Sequence, residues 1–368
     1  MKNVVLLSLT LLFLGLGCTS AEPVETASET PIEETVDEVV AKKPVVREPI
    51  EEVVEEAIEP VDPAIYVQFV INVHDWVFPE QSIETLDHLI DLHEEYQIPV
   101  EFHFTDSVTQ NYVAMAPELM ERLRTSQYVA VSYHVRPPHP MYSDFDTVGL
   151  MDMNLHDRYE TLVEFETHRL DMETGRYIEE PGGYQFLKDQ LGYAPRIIGG
   201  TSGRGGMEYS RVLEEMGALF TVLHEGGSSI EDKVHGLNKR PEDQEVKLYE
   251  FRVPDRFDPE EEFADWTEGF DGSKDWFVNL KYHENNFYLA NTPFAPIYWE
   301  DWDSDRKQPN ETPYDLNASY DLIEFRSDTQ EKGHWDLYTE ALEYVDENLD
   351  WLTPINSVDM EGMLENIQ

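Results

Sequence analysis

The chain has 368 residues, a formal net charge of −50 and one cysteine. This charge argues against nucleic acid and other anionic polymers as partners, because like charges repel one another at long range. A neutral or cationic polysaccharide is compatible with it, and so is an acidic surface that serves only solubility. The length suits one large α/β domain, and a lone cysteine excludes any disulfide within the chain.

The first 18 residues indicate an export signal. Residues 4–16 form an apolar run after Lys2, which is too short to span a membrane and ends at Gly17 and Cys18. This ending resembles a bacterial lipobox. The resemblance implies that Cys18 is acylated and anchors the protein in a lipid membrane of the cell envelope, facing outside the cytoplasm. An ordinary signal peptide with an incidental cysteine is the alternative.

Residues 19–63 are predicted to form an acidic, disordered linker. Positions 21–63 hold 14 acidic residues against Lys42, Lys43 and Arg47, and they include no aromatic residue. Such a segment buries too little apolar surface to fold, and its charges repel one another. Removing the −11 of positions 21–63 and the +1 of Lys2 from the total leaves −40 for the predicted catalytic domain, residues 64–368.

From residue 64 onward, strand-like and helix-like segments alternate. Strands are predicted at 66–73, 99–104, 128–133, 196–198, 218–223, 276–282 and 351–353. Helices are predicted at 117–124, 155–170, 184–191, 209–216 (ended by Gly217) and 335–349, after a first helix that Ser82 caps. This alternation favours parallel strands joined by helical crossovers. The connections 137–154, 225–244 and 287–322 are long, which is typical of functional loops.

Histidines stand at the ends of four predicted strands. These residues are His74, which is followed by Asp75, then His103, His134 and His283. The carboxyl ends of parallel strands converge on one side of an α/β barrel, and polar residues there usually carry chemistry. Because Asp and His are ligands that Zn²⁺ and similar ions prefer, the pattern indicates a metal-dependent hydrolase.

Four segments resemble those of a known family and occur in the same order. They are residues 71–75 with 98–105, the histidine motif His134 to His139-Pro140, the late strand 278–283, and the closing stretch 335–355. Together they resemble the polysaccharide deacetylase (NodB-homology) family of carbohydrate esterases. The resemblance implies a distorted, TIM-like (β/α)7 barrel. It also implies a divalent metal, Zn²⁺, held by Asp75, His134 and His139.

Three departures separate this sequence from the family pattern. His74 replaces the first aspartate, which is the catalytic base of the family. Four residues rather than three separate the two histidines, and a glycine-rich segment at 199–206 replaces the Arg-Pro-Pro-Tyr-Gly motif. Histidine can serve as a base near neutral pH, so we expect His74 as the base, His283 as the acid and Arg204 at the oxyanion.

Further candidate pocket residues lie in the turns and loops. They are Arg136, His103, His224, Trp299 and Trp302. The two tryptophans are predicted either to stack on sugar rings or to pack as a lid core. We expect removal of acetyl groups from a polysaccharide. The alternatives are a barrel that binds glycan without turnover and a glycosidase, which would need two carboxylates flanking the sugar bond.

Overall fold

The structure is a computed structural model. It describes residues 63–136, 138–142, 146, 148–200, 205–222, 230, 233–240, 248–250, 258–290 and 324–367, with only the backbone at 248–250. The predicted export signal, including Cys18, and the predicted linker up to residue 62 lie outside this part of the chain. Within the described residues, no helix combines the length and apolarity needed to cross a membrane.

Ten strands form one sheet, in the order β10-β11-β1-β2-β3-β6-β7-β9-β8, with β12 also paired to β1. The pairings are parallel except between β8 and β9. The bounds are β1 Ile65–Val73, β2 Val100–Phe104, β3 Val129–His134, β6 Ile197–Gly199, β7 Phe220–Thr221, β8 Lys233–Val234, β9 Leu237–Lys239, β10 Leu248–Glu250, β11 Trp276–His283 and β12 Leu352–Pro354. A separate antiparallel hairpin pairs β4, His168–Asp171, with β5, Arg176–Pro181. The parallel α/β class predicted from the sequence is confirmed.

Contacts across the sheet show that it is curled. Arg240 follows β9, which stands five steps from β1 in the strand order. In a flat sheet with strands about 4.8 Å apart, five steps would separate those strands by roughly 24 Å. Arg240 nevertheless donates from Nη2 to Oε1 of Gln68 on β1 at 3.1 Å. The sheet therefore wraps into a half-barrel, while a closed seven-stranded barrel stays a prediction.

The two faces of the curled sheet differ in chemistry. Successive side chains of a strand point to opposite faces, so one set lines the concave inner face and the other the outer face. The inner face is mostly polar and includes Gln68, Asn72, Glu101, His103, Ser132, His134, Asn279, Lys281 and His283. The outer face is apolar, as in Val67, Phe69, Ile71 and Val73 of β1. Burial of the outer face under helices stabilises the fold and leaves the polar face inside.

Nine α-helices occur in the described residues. They are α1 Pro79–Tyr96, α2 Asp106–Met115, α3 Pro117–Thr125, α4 Leu155–Thr167, α5 Gly183–Leu191, α6 Gly206–Met216, α7 Pro259–Trp266, α8 Asp328–Glu347 and α9 Ser357–Ile367. Leu86, Leu89 and Ile90 of α1 lie in the same core cluster as the outer face of β1. The last helix, α9, lies at the inner face instead, because the Ser357 amide donates to Glu101 at 2.8 Å.

Two predictions about elements are wrong. Ser82 does not cap α1, because the helix begins at Pro79 and the Ser82 hydroxyl instead contacts the Tyr112 hydroxyl at 2.7 Å. The helix predicted at 155–170 ends at Thr167, where β4 begins. The carboxylate of Asp106 accepts from the Leu170 amide at 2.8 Å and holds this strand. Gly217, by contrast, ends α6 in the left-handed conformation, as predicted.

Candidate active site

The four strand-end histidines lie together at the carboxyl ends of β1, β2, β3 and β11. The ring centroids of His74 and His283 are 5.1 Å apart, and those of His74 and His134 are 6.5 Å apart. His103 lies 6.4 Å from His134 by the same measure. The strand ends thus place four imidazoles in one group, which we call the histidine cluster: His74, His103, His134 and His283.

Arg136 forms the outer edge of the histidine cluster. Its Nη2 lies 2.9 Å from Nε2 of His74, and its Nη1 donates to the Tyr142 hydroxyl at 3.3 Å. A guanidinium offers only donors, so Nε2 of His74 accepts and the ring proton resides on Nδ1. Burial, and then the positive charge of Arg136, lower the pKa of His74 well below its ordinary value. His74 is therefore neutral at physiological pH.

Arg240 and Lys281 bring two more positive charges to the cluster. Nη1 of Arg240 lies 3.4 Å from Nε2 of His103, and Arg240 is buried. Burial, followed by the charge of Arg240, lowers the pKa of His103 well below its ordinary value. The charge of Lys281 on β11 also lowers the pKa of His74, His103 and His134. These three imidazoles are therefore held in their neutral form.

Backbone and amide neighbours position the remaining two rings. Nε2 of His283 lies 3.3 Å from Nδ2 of Asn72, in register across β1 and β11. His134 packs against Gly199, where a Cβ atom would lie only 2.6 Å from Nδ1 of the ring. Any larger residue at 199 would therefore displace His134. The glycine-rich segment thus has a packing function at its first position.

Asp75 faces away from the histidine cluster. Its Oδ1 accepts from the amides of Val77 and Phe78 at 2.9 and 3.1 Å, and its Oδ2 accepts from the Tyr288 hydroxyl at 2.7 Å. Its own amide donates to Glu284, which also accepts from the His74 amide at 2.6 Å. The Asp75 carboxylate therefore stabilises the turn between β1 and α1.

His139 lies in a third environment, against α4 and α6. Its Nδ1 accepts from the Met141 amide at 3.1 Å, and its Nε2 lies 3.1 Å from Oε1 of Glu166 without the alignment of a hydrogen bond. The ring packs edge-on against Phe165, with centroids 5.1 Å apart. The lone pair that a metal would need is already used by the Met141 amide.

The predicted ligands Asp75, His134 and His139 therefore do not fit a shared metal ion. The acceptor atoms of Asp75 and His139 already accept hydrogen bonds from backbone amides or from a tyrosine hydroxyl. Of the three predicted ligands, only His134 belongs to the histidine cluster. No group of three His, Cys, Asp or Glu side chains suited to a metal occurs among the described residues. The other predicted site residues Arg204, His224, Trp299 and Trp302 lie outside the described part of the chain.

Sequence reasoning missed several residues that surround the cluster. Arg240 and Lys281 were not singled out, and neither were Asn72 and Glu284. The available signal was strand periodicity. Polar residues occupy alternate positions in 101–103, 132–134 and 279–283, and they occur at 68, 72 and 74 with the apolar Val70 between them, which marks one mostly polar face in each of four strands. Arg240 carried no such signal, because only the curl of the sheet brings it to β1.

No protein-family model matches the chain, and no curated protein does. Among solved structures, a 4-alpha-glucanotransferase from Thermococcus litoralis is 13% identical with a TM-score of 0.40, over 81% of this chain and 40% of the enzyme. The catalytic domain of a peptidoglycan N-acetylglucosamine deacetylase from Eubacterium rectale is 13% identical with a TM-score of 0.27, over 62% and 79%. A branching enzyme from Thermococcus kodakaraensis is 11% identical with a TM-score of 0.30, over 79% and 64%. These values are too low to assign a family or an activity.

Proposed function

We propose that this chain is a hydrolase that removes acetyl groups from a polysaccharide, with the histidine cluster as its catalytic centre. The observation that carries the proposal is the contact between Nε2 of His74 and Arg136 at 2.9 Å, within a group of four strand-end histidines. This contact places the neutral imidazole of His74, the proposed base, beside the positive charge of Arg136. The deacetylase-like motifs described above supply the substrate class, since three of them contain these histidines.

Deacetylation needs a base, an oxyanion partner and an acid, and the cluster offers all three. Water attacks the acetyl carbonyl carbon while Nε2 of His74 takes its proton, and Arg136 turns from the imidazole to the oxyanion that forms. The carbon–oxygen or carbon–nitrogen bond to the sugar then breaks, and the sugar atom takes a proton from the imidazolium form of His283, which is restored by the proton that His74 took from water. Arg204 stays a predicted second partner for the oxyanion.

The predicted Zn²⁺ is not part of this mechanism. A bound metal would polarise the carbonyl and activate water. The acceptor atoms of Asp75 and His139 are occupied by other partners, however, so the proposed steps are assigned to His74, Arg136 and His283 alone.

Neither alternative function gains support from a specific contact. A glycosidase needs two carboxylates that flank the sugar bond. Asp75 binds backbone amides and Tyr288, and Oε1 of Glu284 accepts from the amides of His74 and Asp75, so both carboxylates are engaged in the turn after β1. A barrel that binds glycan without turnover would have the same residues but would release no product.

One screen separates these functions. The purified full chain would be incubated with O-acetylated xylan and with N-acetylglucosamine oligomers, and acetate and new reducing ends would be measured in the same samples. We expect acetate release without new reducing ends. New reducing ends without acetate would indicate a glycosidase. Saturable binding of these glycans with neither product would favour the non-catalytic alternative and contradict the proposal.

A further inference from the structure

His103 is a buried member of the histidine cluster to which the proposed steps assign no role. It lies on β2, with its ring centroid 6.4 Å from that of His134. Nη1 of Arg240 lies 3.4 Å from its Nε2. Because a guanidinium has only donors, Nε2 of His103 accepts this bond and the ring proton resides on Nδ1. Nε2 is therefore engaged, and the ring presents a hydrogen-bond donor at Nδ1.

Gln68 holds the guanidinium that contacts His103. Its Oε1 accepts from Nη2 of Arg240 at 3.1 Å and from Nε at 3.3 Å. Its Nε2 donates to Sδ of Met360 on α9 at 3.6 Å. Two bonds to one oxygen orient the planar guanidinium, so that Nη1 is directed at His103. A chain of hydrogen bonds thus runs from α9 through Gln68 and Arg240 to His103.

The Nδ1 donor of His103 is not used within the described part of the chain. None of the described residues accepts a hydrogen bond from it, although the residue is only 2% exposed. Keeping a donor inside a fold without an acceptor is costly, so such a group indicates a partner that the chain itself does not supply. Since His103 lies among the strand-end imidazoles, the bound substrate is the molecule best placed to supply that acceptor.

We propose that His103 binds the substrate by donating from Nδ1 to an uncharged oxygen of the glycan, and that Gln68 and Arg240 are its positioning residues. A neutral imidazole forms an ordinary hydrogen bond, which suits a hydroxyl or carbonyl oxygen, whereas anions are bound best by charged donors. This inference rests on the proposed function, since it takes the histidine cluster as the substrate site.

The acceptor is either a sugar hydroxyl or the acetyl carbonyl oxygen, and kinetics on the His103→Phe variant distinguish the two. A bond to a hydroxyl is equally strong in the ground state and the transition state, so its loss should raise KM and leave kcat unchanged. Negative charge develops on the carbonyl oxygen during attack, so a bond to that atom strengthens in the transition state and its loss should lower kcat.

The tautomer of His103 is measured without substrate, by nitrogen NMR on the full chain with isotope-labelled histidines. We expect a protonated Nδ1 and an unprotonated Nε2, and the signals that are lost in His103→Phe identify the ring. Gln68→Leu releases the guanidinium and should change these signals, whereas Gln68→Glu keeps an acceptor for Arg240 and should preserve them. His93 is the internal reference, because its Nδ1 lies 2.8 Å from the carbonyl oxygen of Ile98 and must carry the ring proton.

Glycan binding is measured by titrating the wild type and His103→Phe with N-acetylglucosamine oligomers and with O-acetylated xylo-oligosaccharides. We expect His103→Phe to bind the better of these ligands about tenfold more weakly, as the loss of one hydrogen bond implies. His334→Phe is the matched control, because it removes a buried histidine of α8 outside the cluster, and it should bind as the wild type does. Thermal unfolding would confirm that each variant folds.

A proton on Nε2 of His103 in the wild type would overturn the inference, even in a chain that releases acetate. Wild-type affinity in folded His103→Phe would overturn it as well. Binding of neither glycan would reject the inference together with the proposed function. Glycan binding that depends on His103, in a chain that releases no acetate, would support the inference and reject only the proposed function.

Discussion

Glu284 shapes the candidate site without joining the histidine cluster. Its Oε1 accepts from the amides of both His74 and Asp75, which fixes the backbone where β1 ends. Burial, and then the nearby charge of Asp75, raise the pKa of Glu284 to about 8. The folded protein therefore keeps this carboxyl protonated at neutral pH, whereas the unfolded chain ionises it near its ordinary value of about 4.5.

Glu284→Gln should change how stability depends on pH. Between about pH 4.5 and 8 the folded wild type holds one more proton here than the unfolded chain, so the stabilisation from this group declines as pH rises. Glutamine keeps an acceptor for the two amides and removes the proton linkage. We expect the variant to gain about 1–3 kcal/mol over the wild type between pH 5 and pH 8. Urea unfolding of both proteins at pH 5 and pH 8 measures this difference. The same change in unfolding free energy with pH in the variant and the wild type would contradict the raised pKa of Glu284.

His74 and Asp75 show that two adjacent residues at the end of a strand can lie in different environments. Side chains alternate between the two faces of a strand, so the residues after β1 project in opposite directions. His74 lies with His134 and His283, while Asp75 meets Tyr288. The sequence motif identifies both residues as polar strand-end groups, but it does not identify their faces. The histidine cluster was therefore foreseeable, and the engagement of Asp75 by backbone amides was not.

His139 is predicted to be structural rather than a metal ligand. Asparagine at 139 keeps an acceptor for the Met141 amide but loses the ring that packs on Phe165 and lies near Glu166. His139→Asn should therefore cost about 1–3 kcal/mol of unfolding free energy, with the metal content per chain unchanged. His156→Asn, at an exposed position, is the control. Loss of bound metal at unchanged stability would reinstate His139 as a ligand.

At the scale of elements, helices α1 and α8 are joined by a buried bond. Nε2 of His93 lies 2.6 Å from the Tyr338 hydroxyl, and Nδ1 of His93 lies 2.8 Å from the carbonyl oxygen of Ile98. Burial lowers the pKa of His93 to about 4. The unfolded chain takes up a proton at this residue near pH 6.5, so its contribution to stability is lost as pH falls from about 6.5 toward 4.

Tyr338→Phe should lower the unfolding free energy by about 1–2 kcal/mol, because it leaves a buried imidazole nitrogen without its partner. The aromatic packing of the ring is retained. Tyr96→Phe provides a close comparison, since Tyr96 links the same two helices through an exposed bond to Glu343 at 3.2 Å. That change should cost no more than about 0.5 kcal/mol. Urea unfolding measures both changes. Equal losses of unfolding free energy in Tyr338→Phe and Tyr96→Phe would contradict a larger contribution from the buried hydrogen bond.

Element order was predictable because hydrophobic periodicity is local, whereas the sheet depends on distant pairing. The strands β1 to β3 and the helices α1 and α3 follow from apolar spacing in the sequence, whereas α2 was not predicted. The hairpin of β4 and β5 does not, because it depends on Asp106, which lies 64 positions before Leu170. The position of Arg240 likewise depends on the pairing of β9 with β7.

At the scale of the whole molecule, the segment before residue 63 is predicted to set the location of the domain. We propose that Cys18 is acylated and that the acidic linker tethers the protein to a cell-envelope membrane, at the outer membrane or the cell surface, facing outside the cytoplasm. Cys18→Ser should move the protein from the membrane fraction to the soluble fraction. Thermal unfolding of the domain should stay unchanged. Continued membrane attachment of this variant would contradict lipid anchoring.

The net charge and the candidate site act at different ranges. The predicted domain carries −40, which governs its long-range interactions, while Arg136 and Arg240 contact the histidine cluster at short range. The composition alone predicts the first property and gives no sign of the second. Only the curled sheet brings Arg240 from β9 to the histidines of β1, β2 and β3.

The central claim is that the histidine cluster is the catalytic centre. The most direct test is to measure how fast the His74→Gln variant releases acetate from a substrate. The wild type, His74→Gln and His156→Gln would be assayed on one acetylated oligosaccharide that the wild type deacetylates. We expect His74→Gln to lose about 10²–10⁴-fold in kcat, since its general base is removed, and His156→Gln to retain full activity. Wild-type turnover by folded His74→Gln would contradict the claim.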